Sequence, residues 1–265
     1  MIVDDHLHIS HEWLIEKFGS IEEYVALQSK NGVRYMLANS MDVDDSKVSL
    51  RVAEQHNTVL AAIGMYPLDE HYRDNIGNDE AEFIPDYRKI DQDISWIKGN
   101  ASKAVAIGEV GLDNSNPKTH KEAQRYVFSK MIDIAVSKNM PIIIHSRKAE
   151  QEVLEMLEEK KPNKVVLHCF TGKKNLIKTA VDKGYYLSIP TSIVRSQHFQ
   201  MMVGMSKMSR IITETDAPFM SPFKDDNPNE SRFITESLAV MSKIKQVESE
   251  EMKKIVFQNF QRLYL

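Results

Sequence analysis

Apolar and polar positions along the chain follow two alternating rhythms. Short, nearly continuous apolar runs mark strands buried on both faces, as parallel sheets show. The clearest is Thr58-Val59-Leu60-Ala61-Ala62-Ile63-Gly64-Met65. Such runs predict strands over residues 2–5, 33–38, 58–65, 104–107, 141–144, 164–167, 185–189 and 211–213. Between them apolar residues return at helical spacing. Val127, Met131, Ile134 and Ala135 define one face of a helix over residues 120–138. Further helices are predicted over 12–30, 43–56, 149–159, 173–183 and 197–205. An interrupted one is expected over 81–98, broken near Pro85, and two more over 230–244 and 249–263. Asn31-Gly32 and Gly184 supply stop signals.

Strand and helix thus alternate eight times, which predicts a parallel sheet. Eight units fit an α/β fold of the TIM (β/α)8 barrel type, a single domain over residues 1–265. A doubly wound open sheet is the rival. That fold expects a glycine-rich phosphate turn after the first strand, where this chain has Asp4-Asp5-His6-Leu7-His8. Composition narrows the classes further. The 265 residues, 42% hydrophobic and 27% charged, suit one globular barrel. A formal net charge of −4 gives no global basic field for nucleic acid or an acidic membrane. Cys169 is the single cysteine, which excludes an internal disulfide framework and fits a reducing compartment. No apolar run approaches the roughly 20 residues of a membrane span, and Asp4, Asp5 and His6 interrupt any secretory pattern. The expectation is a soluble, cytoplasmic protein with no membrane partner.

The chemistry gathers at the strand ends. Alternate residues of a strand point to one side, so His6 and His8 can aim both imidazoles at one point. The fourth, fifth, sixth and eighth predicted strands lead to Glu109, His145, His168 and Asp216. In a barrel these ends converge on the face where active sites lie. Four histidines and two carboxylates have the ligand types of a two-metal centre, with imidazoles for each ion and a carboxylate able to bridge. Each residue has an ordinary alternative: a helix cap for Glu109, hydrogen-bonded core positions for His145 and His168, a turn for Asp216. Six such coincidences would be needed together, so the metal reading is preferred. Gly108 and Gly111, flanking Glu109, suggest close backbone approach. On such a site two divalent ions activate a water, Asp216 accepts its proton, and Glu214 supports the metal shell through hydrogen bonds.

Residues 4–8 (DDHLH), 107–113 (IGEVGLD), 141–147 (PIIIHSR), 167–172 (LHCFTG) and 213–218 (TETDAP) follow the order of five motifs of the TatD family. The chain resembles that family of metal-dependent nucleases, within the amidohydrolase superfamily, over its full length. The resemblance implies a metal-dependent hydrolase acting on ester bonds, a deoxyribonuclease of exonucleolytic type with single-stranded DNA ends as substrate. It implies two divalent ions, Zn²⁺, Mg²⁺ or Mn²⁺. By resemblance His6, His8, Glu109 and Asp216 bind one ion, and Glu109, His145 and His168 bind the second. A hydrolase of a small ester, amide or lactone, and a non-catalytic metal-bound subunit, are the alternatives.

The chain also departs from the family. Where the family commonly has glycine, an apolar residue, then His-Pro-His, this sequence has Gly64-Met65-Tyr66-Pro67-Leu68. Tyr66 is therefore expected to act on substrate binding and not on the metals. Ser188-Ile189-Pro190-Thr191 and Asn229-Glu230-Ser231 are further departures. Arg147, Lys148, Lys173, Lys174 and Arg195 follow the fifth to seventh strands and are candidates for phosphate contact. Tyr66 and Phe219 are candidates for base stacking. Solvated charge and loop packing are the corresponding alternatives. Cys169 is expected to pack, facing away from His168. His11, His56, His71, His120 and His198 are expected at the surface, and the Met-rich segment 201–208 as helix packing.

Overall fold

The structure is a computed structural model that describes residues 1–67, 84–116, 119–223 and 227–265. Eight parallel strands hydrogen-bond in chain order. They are β1 (Ile2–Leu7), β2 (Val33–Asn39), β3 (Val59–Ile63), β4 (Ala106–Gly111), β5 (Ile142–His145), β6 (Val165–Leu167), β7 (Tyr186–Pro190) and β8 (Ile211–Glu214). Just past β8 the chain returns to β1. The Asp216 N–H donates to the His6 carbonyl at 2.8 Å, and the His8 N–H donates to the Ala217 carbonyl at 2.8 Å. The sheet thereby becomes a nearly closed TIM barrel, as expected. Ile142, Ile143 and Ile144, consecutive in β5, are all fully buried, which a strand covered on both faces requires.

Helices separate the strands: α1 (Glu12–Phe18), α2 (Ile21–Lys30), α3 (Val43–Gln55), α4 (Tyr87–Asn100), α5 (Lys121–Lys138), α6 (Glu150–Lys160), α7 (Lys174–Lys183) and α8 (Gln197–Met205). After β8 come α9 (Ile234–Lys245) and α10 (Ser249–Tyr264). No helix among the described residues is long and apolar enough to cross a membrane. Three expectations change. The single helix expected over 12–30 is two. Gly19 adopts φ +85°, and the Ser20 hydroxyl then accepts the Glu23 N–H, starting α2 afresh. The helix expected over 81–98 begins at Tyr87, where the Asp86 carboxylate accepts the Arg88 and Lys89 N–H groups; residues 81–83 lie outside those described. The helix expected from 230 begins at Ile234, because Glu230 is drawn into a buried ion pair with Lys17 and Arg232. In the segment 201–208, Met202 is buried while Met201 and Met208 are partly exposed.

Two features aim the upper rim of the barrel. The buried Asp4 carboxylate accepts the Thr215 N–H at 2.9 Å, the Thr215 hydroxyl at 2.7 Å and the Ser231 hydroxyl at 2.6 Å. It thus ties β1 to the residue preceding Asp216. Glycines, meanwhile, let three backbones close in around Glu109. A Cβ on Gly64 would stand 2.8 Å from the Glu109 carbonyl oxygen, and one on Gly111 (φ +148°) would stand 1.9 Å from the His145 carbonyl oxygen. Gly111→Ala therefore strains φ and drives a methyl group into β5. It should cost about 3 kcal/mol, a fall in melting temperature of roughly 6–12 °C by thermal circular dichroism at roughly 2–4 °C per kcal/mol. An unchanged melting temperature would show that β4 and β5 do not approach this closely.

Candidate metal centre

The barrel brings all six predicted ligands to one place. Glu109, in β4, is 1% exposed. Its Oε2 faces His6 Nε2 at 3.3 Å and His8 Nε2 at 3.6 Å. Its Oε1 faces His145 Nδ1 at 2.8 Å and His168 Nε2 at 3.8 Å. One carboxylate thus reaches two histidine pairs with different oxygens. Asp216 Oδ1 stands 3.4 Å from His8 Nε2, 3.8 Å from His6 Nε2 and 3.9 Å from His168 Nε2. Donor atoms close enough to share an ion occur in His6, His8 and Asp216, and in Glu109, His145 and His168. His6, His168 and Glu214 form a third such set.

The donor chemistry fits a cation. His6 Nε2 and Glu109 Oε2 are both buried, and neither has a hydrogen-bond partner among the described residues. A buried lone pair left so is costly unless a proton or metal meets it. Mixed imidazole and carboxylate ligands suit Zn²⁺ or Mn²⁺. The local charges agree. Burial works to raise the Glu109 carboxyl, yet the charge of His6 and a hydrogen bond from His145 hold it well below the usual carboxylate range. Burial likewise opposes ionisation of Asp216, and His168 and His8 outweigh it. His168 is pulled down by burial but pushed up to about 10 by Glu214 and Asp216. His8 and His145 are also raised, against burial, by the neighbouring carboxylates, whereas burial and His168 lower His6. The carboxylates are held ionised, and a metal entering displaces protons from the imidazoles.

Supporting carboxylates hold the outer ring nitrogens. Glu214 Oε2 pairs with His168 Nδ1 at 2.9 Å, and its Oε1 accepts the Cys169 N–H at 2.9 Å. This is the position expected of Glu214. Asp113 does the same for His145, its Oδ2 lying 2.9 Å from Nε2, and no role had been assigned to it. The signal was present: metal-bound histidines usually donate their second N–H to a carboxylate, and Asp113 closes the motif that contains Glu109. Asn229 donates to the Thr215 carbonyl at 2.8 Å and so steadies the turn carrying Asp216, which sits at φ +60°.

A cavity of about 730 Å³ opens onto the centre. His8, Glu109, His145, His168 and Asp216 line its inner part. Tyr66, Arg147, Lys148, His11 and Phe219 line it too, while Lys173, Lys174 and Arg195 are not among its lining residues. Arg195 donates instead to the Ser221 carbonyl, and Lys173 stands at the N-cap position of α7 with no side-chain capping hydrogen bond. Phe219 is 43% exposed and meets His11 edge to face, with ring centroids 5.1 Å apart. His11 is therefore a rim residue. His198 is hydrogen-bonded to the Phe170 carbonyl, and the His120 side chain caps α5. Leu68 and His71 lie outside the described residues. Cys169 packs against the core as expected, but it does not turn away from the site: it also lines the cavity with His168. The strand ends at Leu167 and Cys169 takes φ +40°, so strand alternation does not govern it. Tyr66 does more than border the cavity, since its hydroxyl lies 3.3 Å from both Asp113 Oδ2 and His145 Nε2.

Barrel and donor set together define the metal-dependent hydrolase class. The family model described as TatD related DNase matches residues 3–265, and the chain belongs to that family. A Bacillus subtilis relative named uncharacterized metal-dependent hydrolase YabD is 28% identical, covering 100% of this chain and 99% of its own. The human protein named deoxyribonuclease TATDN3 is 28% identical over 99% of this chain and 94% of its own. The crystal structure of YJJV, a TatD homologue from Escherichia coli K12, superposes with a TM-score of 0.84 at 20% identity, covering 99% of this chain and 97% of that one.

Replacing His6 and His8 together by alanine should remove at least one equivalent of bound metal, measured by elemental analysis of folded protein. Unchanged metal content would contradict the assignment. Stripping wild-type protein with a chelator should lower its stability by about 2.7 kcal/mol relative to protein at a hundredfold metal excess over Kd.

Proposed function

We propose that this chain is a metal-dependent deoxyribonuclease that trims single-stranded DNA ends. The observation that carries the reading is Glu109, whose two oxygens face two histidine pairs beneath a cavity with unlike walls. Aromatic His11 and Phe219 follow β1 and β8, whereas Arg147 and Lys148 follow β5. In an eight-stranded barrel with strands in chain order, β5 lies across from β1. A base stacked on Phe219 would leave its phosphate facing the centre and the cationic wall. The human relative's name, deoxyribonuclease, supports the same substrate class.

His6, His8 and Asp216 would hold one divalent ion and Glu109, His145 and His168 a second, supplying an acidified water and positive charge for the phosphoryl oxygens. The protein's own groups do the rest. Asp216 is the ligand most open to the cavity, its side chain 16% exposed, and its lowered pKa keeps it ionised to accept the proton of the attacking water. Glu214 and Asp113 hold His168 and His145 in orientation. Arg147 and Lys148 hold phosphate, and Phe219 holds the terminal base. Two cations among the described lining residues suit a short end better than a long duplex. The net charge of −4 favours the second reading, a small ester, amide or lactone as substrate.

Asp216→Asn keeps shape and loses basicity. On labelled single-stranded DNA it should lower kcat by about 10²–10⁴-fold; activity within a few-fold of wild type would remove Asp216 as proton acceptor. Phe219→Ala should raise KM by the equivalent of about 1–3 kcal/mol with kcat retained. Turnover of esters or lactones, with no cleavage of DNA by the metal-loaded protein, would install the second reading.

A further inference from the structure

Tyr66 stands where the family commonly places a histidine, and its hydroxyl points at a different target from substrate. It donates to Asp113 Oδ2 at 3.3 Å and lies 3.3 Å from His145 Nε2. His145 Nε2 and Asp113 Oδ2 are 2.9 Å apart, closing a triangle. The phenol ring packs against the imidazole with centroids 4.8 Å apart. We infer that Tyr66 and Asp113 form a clamp that positions His145, and that this clamp acts on one ion of the centre and not on the other. The inference rests on the metal-centre reading above.

The hydrogen-bond chemistry fixes the ring. A carboxylate only accepts, so Asp113 requires a proton on His145 Nε2. The hydroxyl of Tyr66 has one proton, which it gives to Asp113, so it too offers a lone pair toward Nε2. Both partners hold the proton on Nε2, so that when a metal displaces the Nδ1 proton, which here meets Glu109 Oε1 at 2.8 Å, the neutral ring is left in the tautomer whose Nδ1 lone pair faces the centre. The clamp is itself anchored. Asp113 Oδ1 accepts the Ser115 N–H at 2.7 Å, the Asp113 N–H donates to Gln124 Oε1 at 3.0 Å, and Gln124 Nε2 donates back to the Asp113 carbonyl at 2.8 Å. The Tyr66 N–H donates to the Met41 carbonyl at 2.7 Å. Loops after β3 and β4 thereby grip a histidine of β5.

The other imidazoles are held differently. His168 has Glu214 on its outer nitrogen. His6 Nδ1 and His8 Nδ1 have no hydrogen-bond partner among the described residues. Loosening the clamp therefore weakens the ion shared by Glu109, His145 and His168, and leaves the ion at His6, His8 and Asp216 as it was. Tyr66 is a positioning residue: it reaches the metal through His145.

The test titrates chelator-stripped wild type, Tyr66→Phe and Asp113→Asn with Mn²⁺ by isothermal calorimetry, folding being checked by circular dichroism. Wild type should show two sites. In Tyr66→Phe one site should weaken by about 2- to 12-fold, the range of one lost hydrogen bond. In Asp113→Asn the same site should weaken by about 10–100-fold, and the other should stay within twofold in both. In ¹⁵N spectra of the Zn²⁺-loaded protein, the His145 Nε2–H proton should exchange with water faster in Tyr66→Phe than in wild type. Wild type that binds no metal would sink the centre on which the inference rests. Wild type with two sites, and Tyr66→Phe identical to it in affinity and proton exchange, would overturn the clamp alone. Equal weakening of both sites would also overturn it, marking a general structural effect. Tyr66→Phe keeps the ring and its packing, so it decides the matter even if Asp113→Asn fails to fold.

Discussion

A carboxylate shut away from water must be met by positive charge or proton donors. Glu109, at 1% exposure on a central strand, imposes that requirement on everything around it. Four histidines from β1, β5 and the end of β6 converge on its two oxygens. Their approach depends on backbone closeness that only glycine allows, at Gly64 beside Glu109 and at Gly111 beside the His145 carbonyl. The histidines then need orienting, which explains a second ring of buried acids. Glu214 and Asp113 turn His168 and His145 so that their other nitrogens face inward. Asp4 and Asn229 perform a related service for the backbone, fixing the turn from which Asp216 projects.

The fold was legible because its signal is redundant. Eight apolar runs, each followed by helical periodicity, leave few arrangements, and strand ends fell within four residues of those predicted. The failures were local. Ser20-Ile21-Glu22-Glu23 carries an N-cap signal inside an otherwise continuous helical pattern, and apolar periodicity alone ran through it. Glu230 looked like a helix start because nothing nearby in sequence reveals Lys17 or Gln28, which meet it across the barrel rim.

The clustering of the six candidate ligands was legible for a related reason: barrel topology converts strand-end position into spatial proximity. Asp113 was not, since it lies two residues beyond β4 and its meaning depends on the neighbouring strand's His145. The orientation of Cys169, though not its packing, was misjudged because alternation was extended past the end of a three-residue strand. Tyr66 was expected to act on substrate and not on the metals, whereas its hydroxyl reaches from the β3 end to Asp113 and a β5 histidine, a side-chain fact. Ser231, another departure, places a hydroxyl 2.6 Å from Asp4. Both side chains are thus integrated into the scaffold around the clustered donors.

The central claim is that this carboxylate-centred cluster is a binuclear metal site. Anomalous X-ray scattering from crystals grown with Mn²⁺ tests it most directly. The account requires two anomalous peaks, one among His6, His8 and Asp216 and one among Glu109, His145 and His168, with Glu109 touching both. Ordered, metal-free side chains in saturating Mn²⁺, or peaks lying only elsewhere on the protein, would contradict it.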